Sequence, residues 1–437
     1  MNAKWPAIPL ADIASNFDSR RVPLSSRERQ VRPGPYPYYG ATGIMDYIDD
    51  YLFDGLYVLI AEDGSIERPD GRPFVQLVDG RFWVSNHAHV VQAQSKTDTK
   101  YLYFALSSIN IRPYMTGSVQ AKLSQANMNR IMIYWPNEME RTKIVNILST
   151  LDDKIELNRR MNETLEQMAR AIFKSWFVDF EPVRAKMSGR WKKGESLPGL
   201  PAYLWDLFPD RLVPSELGEI PQGWKLGKFG DCFIVKGGFA YKSKDFVKKG
   251  YPLVRIKNIT TARTIDLSDA ACIPERIVNQ TENFKLFDGD LVIAMTGANI
   301  GKFGLVVNPD QIPFSLINQR VAKVIPKDVS SPKPWFPFLA MIESNIFGQI
   351  INLGGGSAQP NISSGQIEGC TFLIPDNKII SALNKAVDPL MQRWILNIKQ
   401  YRTLAKSRDI LLPKIISGKI DVNKIKDIYG GIYARGQ

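Results

Sequence analysis

Apolar residues return at alternating steps of four and three through residues 137–180, a stretch without proline or glycine. That spacing predicts one long helix whose seam is Ile144, Leu148, Leu151, Ile155, Asn158, Asn162, Leu165, Ala169, Ile172 and Trp176. A similar stripe fills residues 377–418, with Leu383, Val387, Leu390, Trp394, Asn397, Tyr401, Leu404, Arg408, Leu411 and Ile415 on its seam. Pro389 should kink the N-terminal part of this second helix, because it lacks an N–H and crowds the preceding turn. Two mostly apolar seams call for each other, and some 40 residues of helix at about 1.5 Å each span roughly 60 Å, enough to hold two domains apart.

Outside the helices the pattern shortens to β-branched and aromatic runs punctuated by glycine and proline, such as Tyr57–Ile60 and Leu291–Ala294, which predict strands. These runs occur twice. Gly117-Ser118-Val119-Gln120 returns as Gly356-Ser357-Ala358-Gln359, and Tyr134-Trp135-Pro136 as Leu373-Ile374-Pro375, both at an offset of 239. The same offset carries Leu151 onto Leu390, Asn158 onto Asn397 and Leu165 onto Leu404. Upstream, Phe53-Asp54-Gly55 and the run Leu56–Ile60 parallel Phe287-Asp288-Gly289 and the run Asp290–Ala294, while Trp5 parallels Trp224.

Two copies of this length are globular domains and not a solenoid. The predicted fold class is mixed α/β: two tandem pseudo-twofold-related domains separated by two long antiparallel coiled-coil helices. The first domain takes residues 1–136 and its helix 137–180; a proline- and glycine-rich connector follows at 181–220. The second domain takes 221–376 and its helix 377–418, with a tail at 419–437. Under a pseudo-twofold axis the seam residues Asn158 and Asn397 would face each other and set register. The alternative is two solvated interruptions of the seam.

Charge adds a partner to this picture. Lys and Arg number 56 against 44 Asp and Glu, a formal net charge of +12, so a polyanion is favoured. No run of about 18 apolar residues and no signal-peptide core is present, which favours a cytoplasmic protein without a membrane partner. Cys232, Cys272 and Cys370 are scattered and read as reduced, structural thiols. His87 and His89 would share one face of a strand, but without a third clustered ligand no metal site is expected.

Catalytic motifs fail on inspection. Gly297-Ala298-Asn299-Ile300-Gly301-Lys302-Phe303 is one residue short of a P-loop and has Phe303 where a magnesium-binding hydroxyl belongs. Gly354-Gly355-Gly356 lacks dinucleotide spacing. Neither Asn308-Pro309-Asp310 nor Asp388-Pro389-Leu390 supplies the Asn or Asp, two prolines and aromatic of an adenine methyltransferase. Duplicated domains without duplicated chemistry point to binding.

Longer stretches carry a family resemblance. The run Leu204–Asp210 and the run Ser215–Trp224 closely resemble the central region of specificity subunits of type I restriction-modification enzymes. The run Trp83–Ala88, the Gly-Ser-x-Gln loops, and the helix ends at Trp176–Phe180 and Leu412–Gly418 are similar to that family as well. The resemblance implies two target-recognition domains that each read half of a split, asymmetric site in double-stranded DNA. It implies two modification subunits as partners, which use S-adenosylmethionine to methylate adenine, and restriction subunits that use ATP and magnesium. No catalytic residue and no cofactor would belong to this chain itself. A stand-alone DNA-binding regulator and a coiled-coil scaffold are the rival readings.

Candidate DNA contacts combine small residues with donors. Ser118, Gln120 and Lys122, and their counterparts Ser357, Gln359 and Asn361, lie in the duplicated loops, which either touch DNA or shape the helix entry. Divergent candidates are Tyr36, Tyr38 and Arg112 in the first copy and Lys242, Lys244, Arg255, Lys257, Asn258, Asn299 and Lys302 in the second. Trp176, Phe177 and Phe180 are candidate anchors for modification subunits, or else pack on the connector.

Overall fold

The computed structural model describes residues 5–117, 121–355 and 360–422. The chain divides into two compact units, one formed by residues up to Ile155 together with those from Thr403 onward, the other by Glu156–Arg402. Both boundaries fall inside long helices, Glu138–Phe177 and Asn377–Ile416, so each unit is a globular module plus a part of each helix. Both helices are capped from the side chain just before them. The Glu140 N–H donates to Asn137 Oδ1 at 2.9 Å and the Lys378 N–H to Asp376 Oδ1 at 2.7 Å. Left-handed backbone at Phe180 (φ 52°) and Gly418 (φ 70°) follows their ends. The second helix stays one element through Pro389, where a kink is expected. Burial of Leu383, Val387 and Met391 on either side outweighs a helix penalty of about 3 kcal/mol.

Within each unit the two helix parts run antiparallel. In the first, Arg408 pairs with Asp152 at 2.7 Å, and Ile144, Val145 and Leu148 share a core with Leu412, Ile415 and Ile416. In the second, Arg159 lies over the Tyr401 ring, while Asn162 donates to Trp394 O at 3.1 Å and Asn397 Nδ2 donates to Asn162 Oδ1 at 3.0 Å. Asn397 therefore pairs with Asn162, one turn beyond the expected Asn158. Facing positions coincide with repeat mates only at the midpoint of the helix pairing, and Asn397 opposite Asn162 puts that midpoint between Asn158 and Asn162. Asn158 is buried too, so the polar interruption of the seam is not a solvated one.

The two modules repeat one topology. In the first, a four-stranded antiparallel sheet runs Ala14–Asn16, Ala88–Ala93, Tyr57–Ala61, Val75–Val78 in spatial order; in the second, Phe233–Gly237, Val321–Pro326, Leu291–Ala294, Phe303–Leu305. A second four-stranded sheet in each holds one parallel pair, Pro33–Tyr39 with Arg81–Val84 and Tyr251–Val254 with Ser315–Ile317. Each module is closed by a two-stranded pair, Ala7–Pro9 with Met132–Tyr134 and Lys225–Lys228 with Thr371–Ile374, which leads straight into its long helix.

Register corrects the sequence alignment by one residue. Ala61 pairs with Ala88 and Ala294 with Val321, so Ala61, not Ile60, is the counterpart of Ala294. The slip is invisible to hydropathy because these central strands are buried on both faces, with every residue of Tyr57–Ala61 and Leu291–Ala294 inside. In the second unit Arg402 ties the helix to its module, donating to Val307 O at 2.8 Å and Ile265 O at 2.7 Å. The connector folds here as well. Burial pushes the Lys186 ammonium below its ordinary value, and it donates to the carbonyls of Trp205 and Phe208 beside the Trp205 ring.

Candidate nucleic-acid interface

At one end of each main sheet, the strand-connecting loops converge. In the second module these are Gly237–Lys242, Met295–Gly301, Asn318–Arg320 and Pro360–Ile362, joined by Gln319 N–H to Phe239 O, Met295 N–H to Arg320 O and Ile362 N–H to Met295 O. Gly238 lets the first loop lie against the third: a Cβ there would sit 2.3 Å from Asn318 O. In the first module the last two of these hydrogen bonds recur as Glu62 N–H to His87 O and Leu123 N–H to Glu62 O. Leu123 and Ile362, which follow the two Gly-Ser-x-Gln stretches, thus dock at equivalent places, whereas Ser118, Gln120, Ser357 and Gln359 themselves lie outside the described residues.

The second module carries the freer cations. Lys242 and Lys244 are exposed and Lys302 is half-buried, none with an ion-pair partner among the described residues. Asn299 sits half-buried in the short turn Gly297–Asn299, and Asn361 is exposed opposite Thr296. This segment joins two antiparallel strands and opens no helix, so it lacks the frame of a phosphate-binding loop. The Arg255 guanidinium lies over Phe246 with its Nε buried and, among the described residues, without a hydrogen-bond partner. One candidate becomes structural: Asn258 is 1% exposed, taking the Arg255 N–H and donating to Asp266 O. Lys257 is exposed and paired with the exposed Asp269.

First-module candidates are more occupied. Tyr36 is half-buried with its ring tilted against Tyr51 at a centroid distance of 5.0 Å, whereas Tyr38 is a core residue, 1% exposed, whose hydroxyl takes the Leu24 N–H. Tyr38 cannot read a base edge, because alternation along its strand turns it inward. Arg112 pairs with Glu67 at 2.7 Å and Lys122 with Glu62 at 3.3 Å, both side chains remaining more than half exposed.

The two histidines part company. His87 is exposed outside the strand and 2.7 Å from Asp63, while His89 is buried, its Nδ1 2.6 Å from Asp18 and its Nε2 2.7 Å from Leu123 O. Asp18, Glu62 and His89 form the one ligand-like cluster among the described residues. Its atoms are already committed. Both His89 ring nitrogens already face oxygen atoms of the protein, Asp18 Oδ2 and Leu123 O, so neither is open to a further ligand. Burial alone would raise the Asp18 carboxyl, but the His89 hydrogen bond and charge, with the Val90 N–H, outweigh it and hold the carboxyl below its usual range. Glu62 takes Arg21 at 2.8 Å as well as Lys122. At the matching places the second module has Gly237, Met295 and Ala322, with no charge at all. A network that the sister module replaces with apolar groups holds the fold and does not define a shared metal centre.

Trp176, Phe177 and Phe180 are not exposed anchors. Trp176 meets Phe208 edge-on, Phe177 packs on Trp224 and Phe336, and Phe180 packs on Trp224. Trp176 is 2% exposed, and these rings fill the core where helix, connector and module of the second unit join.

The sequence singled out Asn86 and His87 only as part of a family-like run and a histidine pair and passed over Gln319-Arg320; the structure places the two pairs as equivalent exposed turn tips, one in each module. Their correspondence lies at an offset of 233, hidden by the misregistered strands before them.

A duplicated sheet with a converging loop end and a long helix after each copy is the architecture of a two-headed binding protein. A family model for the type I restriction modification DNA specificity domain matches residues 2–167 and 221–399, one match per copy. The chain belongs to this family, and its place is the DNA-specificity component of a restriction-modification system. Over 333 residues it is 26% identical to the type I restriction enzyme MjaIX specificity subunit of Methanocaldococcus jannaschii, covering 75% of this chain and 70% of that protein. Over 258 residues it is 33% identical to a putative type I restriction enzyme specificity subunit of Haemophilus influenzae, covering 53% of this chain and 65% of that protein. The crystal structure of a type I restriction-modification S subunit from M. genitalium shares the fold, with a TM-score of 0.57 and 16% identity over 95% of this chain and 96% of that one. Among the described residues no helix is long and apolar enough to cross a membrane.

Proposed function

We propose that this chain selects the DNA target for partner subunits that carry out modification and cleavage, each module reading one half of a split site. The observation that carries this reading is the repeated loop end: one backbone frame with different donors on it. One frame in two sequences is what an asymmetric, two-part target requires. Exposed cations such as Lys242 and Lys244 would hold phosphates, and polar side chains at the loop ends would read base edges in a groove. Half-sites about one helical turn apart, roughly 34 Å, could then be engaged on one face of the duplex.

The chemistry would lie elsewhere in the complex. Two modification subunits would use S-adenosylmethionine to methylate an adenine turned out of the duplex, and restriction subunits would use ATP and magnesium. The test is a genome-wide map of methylated adenine in cells with the modification subunit, in the presence and absence of this chain. A split motif that disappears with the chain supports the reading. An unchanged map with an active modification subunit favours a stand-alone regulator.

A further inference from the structure

We propose that residues 258–266 of the second module form an orientation clamp, which ties this module to both long helices and so restricts the target to one length of unspecified gap between its half-sites. The inference rests on the DNA-targeting role proposed above and concerns the gap, not the bases read.

The clamp occupies a segment that the first module replaces with a short turn. Its flanking strands, Tyr251–Val254 and Cys272–Ile273, match Pro33–Tyr39 and Ile44–Ile48, which residues 40–43 join directly. In the second module the chain leaves the sheet as a tongue. Asn258 closes the base by donating to Asp266 O at 2.9 Å, and the Thr260 N–H closes the tip by donating to Thr264 O. The tip lies along the edge strand Phe303–Leu305, where the Leu305 N–H donates to Arg263 O at 2.9 Å. Gly304 permits this approach, since a Cβ there would sit 2.8 Å from Arg263 O. Arg263 itself is left-handed (φ 55°), a conformation that side-chain-bearing residues hold only where their surroundings fix it.

Four ties join the helices to this module. Glu166 of the first helix takes Arg263 of the tongue at 2.9 Å, and one turn further Arg170 pairs with Glu343 of the helix Trp335–Glu343. On the second helix Lys399 pairs with Asp288 at 2.7 Å, and Arg402 donates both to Ile265 O of the tongue and to Val307 O. The Glu166, Glu343 and Lys399 side chains are largely buried, so salt screens these pairs less than surface ones. Because the ties come from both helices, the module cannot rock on either without breaking one.

The helix seam does not require these residues. At the offset of 239 the repeat mates of Glu166, Arg170, Lys399 and Arg402 are Ala405, Asp409, Arg160 and Glu163, so charge is lost or inverted at three of the four. Arg160 pairs along its own helix with Glu156, and Asp409 with its neighbour Arg408. What the second copy keeps at these positions therefore serves its own module. The consequence for the target follows from the duplex. A gap changed by one base pair moves a half-site by about 3.4 Å along the DNA and about 35° around it. A module held at a single point could follow that displacement by rocking, whereas one held by four ties could not.

The experiment uses the full chain assembled with its modification subunit, and maps the methylated motif for the wild type, Arg402→Ala, Arg263→Glu and Arg263→Lys. Thermal unfolding of each variant verifies the fold. The Arg263 side chain is 35% exposed, so its replacement carries the test even if Arg402→Ala does not fold. In Arg402→Ala and Arg263→Glu, sites whose gap is one base pair longer or shorter should gain at least tenfold in methylation relative to sites with the original gap, with the bases of both half-sites unchanged. Arg263→Lys, which keeps the charge opposite Glu166, should retain the original gap. Loss of stability alone would lower methylation at every gap alike. An unchanged gap in the folded variants, a uniform loss, relaxed bases in place of a relaxed gap, or Arg263→Lys relaxing the gap as far as Arg263→Glu would overturn the proposal while leaving the targeting role intact. A wild-type complex without any split motif would instead remove the targeting role on which it rests.

Discussion

Asn162→Ala in the second unit tests the helix pairing by energy. Asn162 receives the Asn397 amide and donates to Trp394 O, and Asn397 is fully buried with its Oδ1 already lacking a partner. Truncation at 162 therefore leaves the Asn397 amide with neither donor nor acceptor satisfied. At about 1–3 kcal/mol for each orphaned buried polar group, the expected loss is about 2–3 kcal/mol. For a unit of this size, where each kcal/mol moves the midpoint by about 2–4 °C, that is a drop of roughly 4–12 °C. Adding Asn397→Leu removes the orphan and should return part of the loss, so the double variant is more stable than Asn162→Ala alone. The assay is scanning calorimetry of the four members of the cycle. No change on Asn162→Ala, or a further drop on adding Asn397→Leu, would refute the buried pairing.

Acid should weaken the first unit through Asp18. Its folded carboxyl titrates below its unfolded value, so its stabilisation is present above about pH 4 and is lost as pH falls through the folded value. Asp18→Asn should lower the unfolding midpoint at neutral pH and flatten its fall between about pH 5 and 2, measured by a pH series of thermal melts. Gly238→Val should cost more than about 2 kcal/mol, since its Cβ would lie 2.3 Å from Asn318 O and backbone must move; urea unfolding measures this, and a neutral result would contradict the packing of those loops. Lys242→Ala and Lys244→Ala should each lower the slope of log affinity against log salt by nearly one while leaving the methylated motif unchanged, as a titration of DNA binding at several salt concentrations would show.

The long helices were the most legible part of the chain. Their seams recur over many turns, and Ile144, Leu148, Leu383 and Val387 are indeed fully buried. The duplication was legible for a related reason, since glycine, proline and tryptophan positions survive where surface residues have changed. Axial register was not. Asn158 and Asn397 are repeat mates, but whether repeat mates face each other depends on where an axis crosses, and periodicity is silent on that.

Site residues were harder still. Tyr38 and Asn258 have base-reading chemistry, yet the first points into a core and the second closes a turn. Trp176 and Phe177 suit an interface by type and serve the unit's own core instead. Composition cannot separate an exposed aromatic from a buried one at a helix end. The equivalence of the tips Asn86-His87 and Gln319-Arg320 escaped because a strand buried on both faces has no alternation, so it fixes no alignment across the repeat.

The central claim is that each module reads its own half of the target. Its most direct test replaces residues 5–136 with a second copy of residues 224–375 and maps methylated adenine in cells supplying the modification subunit. The account predicts a symmetric motif, in which one original half-site is gone and the other appears twice in inverted orientation. Persistence of the original asymmetric motif in this chimera would contradict it.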